Sequence, residues 1–421
     1  MTQIAAGQWH SLFLKSDGSL WGMGLNASGA LGDGTYNYNI NRPEHILTSN
    51  ITTIAAGGVH SLFLKSDGSL WAVRENTYGQ LGDGTQNIRN QPEQIEVGNV
   101  KAIAAGGNHS LFLKSDGSLW AMGWNRYGQL GDGTTNNVNQ PEQIVASNVT
   151  AIAAGDAHSL FLKSDGSLWG MGYNKDGELV DGTTNNINQP EQILASNVTA
   201  IAAGSEHSLF LKKDGSLWAM GWNGYGQLGA GNSINGFGTN RPVQIVASNV
   251  TAIAAGDAHS LFLKNNGSLW GMGSGDAGGL GDGTYFQTNQ PEQIVAGNVT
   301  AIAGGYGHSL FLKNDGSLWV MGFNGDGELG DGTYNNTNRP EQIVVNTNYN
   351  RICCQLLGGA NMQLSFVGVA NANYALDRSS SLSPPNWIPQ ATNPAGSFGA
   401  LVFTNPPDAT TNNFWRIRSV P

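Results

Sequence analysis

Apolar and polar residues follow one pattern through most of the chain, and it restarts about every fifty residues. One unit, read from Asn148, is NVTAIAAGDAHSLFLKSDGSLWGMGYNKDGELVDGTTNNINQPEQILAS. Its apolar residues come in short runs bounded by Gly, Asp, Asn or Pro, which predicts strands rather than helices. Four are expected in this unit, over 150–155, 158–163, 167–172 and 190–194. Leu160-Phe161-Leu162 is apolar on both strand faces, as in a sheet covered on both sides. Asp165-Gly166 suits a two-residue hairpin turn with positive φ at both positions. Pro190 leads the last strand, where a missing N–H does least harm and an edge position is expected.

The unit occurs seven times, which decides the fold class. His-Ser falls at His10, His60, His109, His158, His207, His259 and His308, at intervals of 49 to 52 residues. A tryptophan follows each histidine eleven residues on, at Trp21, Trp71, Trp120, Trp169, Trp218, Trp270 and Trp319. The units fill residues 1–345. An open stack of repeats needs polar end units, because its terminal faces are otherwise exposed. Here the first and last units keep the apolar pattern of the middle ones, so a closed ring is expected. The predicted architecture is an all-β, seven-bladed β-propeller with four-stranded blades.

The string A-G-x-x-H-S-L-x-L-x-x-D-G-x-L-W-x-x-G-x-N-x-x-G-Q-L-G resembles the regulator-of-chromosome-condensation repeat, and residues 101–131 match it almost letter by letter. The resemblance covers about four fifths of the chain and implies the same propeller. The namesake of that family is a guanine-nucleotide exchange factor for the Ran GTPase. Exchange on, or regulation of, a small GTPase is therefore the alternative function that the resemblance implies. The elaborated loops and basic tail linked to that role have no counterpart in the short, uniform loops here.

After Val345 the period stops. Alternating stretches at 362–366, 374–378, 400–404 and 414–418 are separated by Pro384-Pro385, Asn393-Pro394 and Pro406-Pro407. They predict a small antiparallel β domain over 346–421. This part is similar to short C-terminal β modules of exported bacterial proteins, which implies an extracellular or cell-surface location. The chain opens at Met1 already inside a repeat and shows no signal peptide, so export would require a leader upstream of it.

Composition agrees with short strands and tight turns. Sixty of 421 residues are glycine, about twice the usual share, and only 12% are charged, about half of it. Glycine takes positive φ without steric cost. The net charge is −10 and no run of Lys or Arg stands ready to neutralise phosphates, which argues against a nucleic-acid partner. No apolar stretch approaches the roughly 20 residues of a membrane helix, so membrane insertion is not expected. The two cysteines, Cys353 and Cys354, are adjacent and cannot form a disulfide framework.

The repeated motifs read as construction rather than chemistry. Neighbours on a strand point to opposite faces, so His158 and Ser159 cannot act together as base and nucleophile. Seven copies point instead to a half-buried imidazole satisfying backbone groups at the strand entry. The tryptophans read as anchors that pack the blades. Asp33, Asp83, Asp132, Asp181, Asp282 and Asp331 come one per unit, with Ala230 breaking the set. That spacing is too dispersed for calcium, and turn formation is expected. Asn-x-Thr at Asn50, Asn148, Asn197, Asn249 and Asn298 keeps one phase and reads as a strand-entry turn rather than a glycosylation site. Neither metal, cofactor nor catalytic constellation is expected.

Function is expected where the units differ. One variable window lies between Ala-Gly and His, at Gln8-Trp9, Gly58-Val59, Gly107-Asn108, Asp156-Ala157, Ser205-Glu206, Asp257-Ala258 and Tyr306-Gly307. The other flanks the residue after the Trp strand and includes Trp124, Arg126, Tyr127, Tyr173, Trp222, Tyr225 and Phe323. Unit five adds a longer loop containing Phe237. Aromatics beside adaptable polar residues favour binding. Trp9, Tyr306 and Phe237, with the seven residues of the second window, are the candidate contacts. The expectation is a monomeric, non-catalytic scaffold presenting them to a protein or glycan.

Overall fold

The computed structural model describes residues 1–343 except 28, 30, 35–38, 48, 180–181 and 232–237, together with six strands between 353 and 420. The chain divides into two compact units, Met1–Ile343 and Val344–Pro421. In the first, seven antiparallel sheets of four strands each follow one another in chain order. Blade 4, for example, consists of Val149–Ala154, His158–Lys163, Leu168–Gly172 and Ile187–Leu194. First strands of successive blades pack side by side around the ring, and Val299–Gly304 of blade 7 returns to Gln3–Ala6 of blade 1. The expected closed seven-bladed ring is thus formed, with the first strand of each blade innermost.

The hairpin between second and third strands differs from the two-residue turn that Asp-Gly predicts. Gly166 donates to the Lys163 carbonyl at 2.9 Å and Lys163 to Ser167 at 3.1 Å, so the loop holds three residues, 164–166. Only Gly166 takes positive φ, at 78°. This is a type I turn closed by a left-handed glycine. It aims the Asp165 carboxylate at Ser167, whose N–H and Oγ–H it accepts at 2.9 and 2.6 Å. Trp169 Nε1 donates to the same Ser167 Oγ at 2.8 Å. The Lys163 ammonium lies 3.7 Å from the centre of that indole, and Phe161 stacks on it at 6.0 Å. Phe-Leu-Lys-x-Asp-Gly-Ser-Leu-Trp is therefore one folding device, which is why it recurs in every blade, with Asn266 standing for the aspartate in the sixth.

The core lies between blades. Alternation along the second strand sends Leu160 and Leu162 toward Phe210 and Met220 of blade 5, while Phe161 faces Leu111, Leu113 and Leu119 of blade 3. Both sheet faces are thereby covered. The fourth strand begins at Ile187, so Pro190 sits inside it rather than leading it. This strand is the outer edge of its sheet, where the missing N–H has no ladder partner to lose. Blades are joined by turns in which Asn50, Asn99, Asn148, Asn197, Asn249 and Asn298 take φ of 67° to 70°. Asparagine tolerates that left-handed region better than most residues, which accounts for the recurring Asn-x-Thr.

The second unit contains Cys353–Leu357, Asn361–Val367, Asn373–Ser379, Ile388–Pro394, Ala400–Asn405 and Phe414–Val420. They form two antiparallel sheets of three strands, paired through Asn361–Val367 in one and Asn373–Ser379 in the other.

Candidate functional site

Up-and-down connection inside each blade sorts the loops onto two ends of the ring. Hairpin turns and interblade Asn turns share one end, where the sequence repeats. Loops from first to second strand and from third to fourth share the other, and these hold both variable windows. Every described candidate residue therefore lies on one face.

At the centre of that face, backbone hydrogen bonds fasten neighbouring blades. Gly107 N–H donates to Gly155 at 3.1 Å, Asp257 to Gly305 at 3.0 Å and Tyr306 to Gly7 at 3.3 Å, the last bond closing the ring. Gln8, Asp156, Ser205, Asp257 and Tyr306 join the Ala-Gly strand ends in lining a cavity of about 180 Å³. That is below the roughly 300 Å³ at which small-molecule sites begin. Gln8 Nε2 reaches across to Asp156 Oδ1 at 3.4 Å, and Ser205 Oγ donates to Asp257. Burial raises the pKa of both aspartates, and the charge of Asp257 adds to the shift of Asp156. Glu206 is raised by burial and then by Asp176, Asp257 and Asp156.

Around this centre the aromatic candidates meet across blades. Tyr78, Trp124, Tyr127 and Tyr173 form a continuous series over blades 2 to 4, with ring centroids 5.9, 5.4 and 5.0 Å apart. Trp9 packs on Tyr306 at 4.9 Å and Phe323 at 6.0 Å, bridging blades 7 and 1. Trp222 and Tyr225 pair within blade 5 at 5.2 Å. Arg126 is exposed, 5.9 Å from the Tyr127 ring. Burial, with Asp176, Glu178 and Glu206 acting in the same direction, pushes the Tyr173 hydroxyl up to about 12. Phe237 and Asp181 lie outside the described residues. Sequence reasoning missed Tyr78, although it occupies the position of Tyr127 and Tyr225. It also missed exposed Tyr285, Phe286 and Tyr334, which follow Gly-Asp-Gly-Thr on the same face.

The histidines overturn their expected role. They are 0 to 1% exposed rather than half-buried, and their Nε2 atoms meet serines instead of backbone groups. Each pairs with the Ser of the next blade at 2.8 to 3.0 Å, and His308 returns to Ser11. Ser159 illustrates the next step, donating its hydroxyl proton to the Gln129 carbonyl at 2.8 Å. A serine has one proton, so His109 must supply the hydrogen between them and is the neutral Nε2–H tautomer. The serine is not activated as a nucleophile. Nδ1 has no partner in six of the seven, His10, His60, His109, His158, His207 and His308. An added Cβ on Gly155 would lie 2.6 Å from His158 Nδ1, so this glycine is needed for close approach. Burial depresses the seven imidazoles, to about 3 for His60, His109, His207 and His308 and about 4 for His158 and His259.

The Gly-Asp-Gly-Thr aspartates turn their own loops. Asp132 accepts from Asn125 Nδ2 at 3.0 Å and from Thr134 N at 2.8 Å, and Asp331 repeats the arrangement. Glu178 and Glu328 occupy the buried position held by Gln80, Gln129 and Gln227 elsewhere. Each accepts a backbone N–H through Oε2, at 3.1 and 3.0 Å, while Oε1 is buried without a partner. Burial pushes both up to about 8, so both are protonated at neutral pH. Their contribution to stability is complete below about pH 4.5 and is lost as pH rises through 8. The Glu178→Gln/Glu328→Gln variant is therefore expected to gain on the native chain by about 1.4 kcal/mol per pH unit per residue across that window. Melting curves at pH 5 and pH 8.5 check this, and an equal difference at both would refute it.

The RCC1-like domain model matches residues 49–365, and regulator of chromosome condensation (RCC1) repeats match residues 1–30 and 17–64. Human WBSCR16 is 25% identical, with a TM-score of 0.67 over 74% of this chain and 86% of its own. Prp20p from Saccharomyces cerevisiae is 24% identical, with a TM-score of 0.71 over 80% of this chain and 88% of its own. Yeast RCC1 (Prp20) bound by Kap60 is 23% identical, with a TM-score of 0.72 over 82% and 87%. No curated protein matches the sequence.

Proposed function

Because the chain belongs to the RCC1-like domain family, we propose that it is a non-catalytic binding protein whose variable loop face engages a protein partner. One observation carries this reading. Aromatic residues at positions where the blades differ come together on one face, and several stay open to solvent, Tyr225 at 36% and Tyr306 at 43%. Rings of this kind supply large contact area at low conformational cost. The small central cavity and the engaged, neutral histidines give chemistry little to work with. Prp20p is described with binding properties to Gsp1p and histones, and at its identity it lends this chain the fold alone.

Changing Trp124, Tyr173, Trp222 and Phe323 together to serine is expected to lower partner affinity at least tenfold, since interface anchors contribute about 2 kcal/mol or more each. Quantitative capture by native and variant propellers checks this, with far-UV circular dichroism confirming that both are folded. Recovery of the same partners with equal yield would end the loop-face reading. A nucleotide-release assay on small GTPases, run with both proteins, separates exchange activity from plain binding.

A further inference from the structure

In six blades the third strand reaches a glycine at φ between 97° and 111°, namely Gly24, Gly123, Gly172, Gly221, Gly273 and Gly322. Blade 2 has Arg74 there, at φ 91°. The position is crowded as well as left-handed: a Cβ added to Gly123 would lie 2.6 Å from the Asn108 carbonyl oxygen. A side chain in this conformation is strained. The arginine is also only 3% exposed, and its Nε and Nη1 have no hydrogen-bond partner. Glu75 and Asp326 act on it through space, and no ion pair joins it among the described residues. His10 and His60, both depressed further by its charge, use their Nε2 atoms on serines. Burial lowers Arg74 to about 10, which leaves it a cation at neutral pH.

Backbone strain and an unpaired buried charge thus coincide at one residue, on the same face as the variable windows. Each is destabilising, and buried charges in proteins are as a rule paired. A guanidinium has a planar fork of donors that fits two oxygens of one anion. We propose that Arg74 is an oxyanion-binding residue that takes a carboxylate at the junction of blades 1 and 2. A free small carboxylate and an acidic side chain of a bound protein present the same group. The inference does not depend on the partner reading, because it is testable on the isolated chain.

The test is thermal melting of the full chain in acetate against chloride at fixed ionic strength, with a short glutamate-containing peptide as a second probe. The native chain is expected to show a saturable rise in melting temperature, as a ligand bound only to the folded state requires. Arg74→Gly is expected to lose that rise and, in chloride, to melt at or above the native chain. Arg74→Lys keeps the charge without the fork, and its acetate response should weaken at least tenfold. Ring-proton signals of His10 and His60 should move with the anion in the native chain alone. A response to acetate identifies a free carboxylate as sufficient, and a response to the peptide alone identifies a protein side chain as the source. Equal responses of the native chain and Arg74→Gly to both probes would overturn the proposal. So would an absence of response in the native chain to both probes, whatever the stability of Arg74→Gly; lower stability of that variant would then make the arginine a structural filler.

Discussion

Acidification is expected to unfold the propeller cooperatively between about pH 6 and pH 4. Seven imidazoles are neutral and buried in the folded ring, with pKa values depressed to about 3 or 4 where a value is resolved. In the unfolded chain each returns to about 6.5. The unfolded state therefore binds more protons below that value, and stability present above it is lost as pH falls toward the folded values. Each imidazole contributes about 1.4 kcal/mol per pH unit, so seven approach roughly 10 kcal/mol per unit. A domain holds about 5–15 kcal/mol in all, which two units of pH would exhaust. Glu178 and Glu328 act oppositely, gaining stability as pH falls from 8, but their effect is complete near their unfolded value. Urea unfolding followed by tryptophan fluorescence from pH 8 to pH 4 measures the slope. A nearly flat profile over pH 7 to 4.5 would mean that the imidazoles are protonated without loss of the ring.

Ser159→Ala is expected to be far more damaging than removing an oxygen suggests. Its hydroxyl accepts from His109 Nε2 at 2.9 Å and donates to the Gln129 carbonyl at 2.8 Å, both fully buried. Alanine leaves two polar groups of the neighbouring blade unsatisfied, at about 1–3 kcal/mol each. The expected loss is roughly 2–6 kcal/mol, against less than about 0.5 kcal/mol for Ser164→Ala in the exposed hairpin. Denaturant midpoints of the two variants decide the matter, and comparable losses would show that water or relaxation replaces the serine. His109→Phe combined with Ser159→Ala should recover part of the loss, since the orphaned imidazole donor is then gone.

The ring, the blade count and the strands were legible because each is written seven times at short range. Periodicity reveals what every unit needs, and it marks Leu160-Phe161-Leu162 as covered on both faces without telling that blades 5 and 3 supply the cover. The His-Ser contact could not be read in the same way. It joins residues about fifty positions apart, and a strand's alternation tells only that His158 and Ser159 part company. The hairpin was misread by one residue because Asp-Gly serves both turn types, and the choice is made by Ser167 accepting the role of carboxylate partner. The candidate face was legible as a contrast between fixed and variable positions. Its organisation into aromatic series was not, since Tyr127 meets Tyr173 across a blade boundary whose geometry no local pattern encodes. Arg74 stands where six other units have glycine, and sequence reasoning passed over it because nothing local signals its burial.

Each blade owns its four strands, and the junction between blade 7 and blade 1 carries the His–Ser bond found at every junction and the backbone bond found at most. The ring is closed without a covalent link at this one junction, which no interblade Asn turn spans. A circular permutant opened at any interblade Asn turn keeps seven whole sheets, and exchanging units at those turns swaps complete sets of face loops in one step. Evolution, or an engineer, can recompose the binding face as a mosaic while every sheet remains continuous.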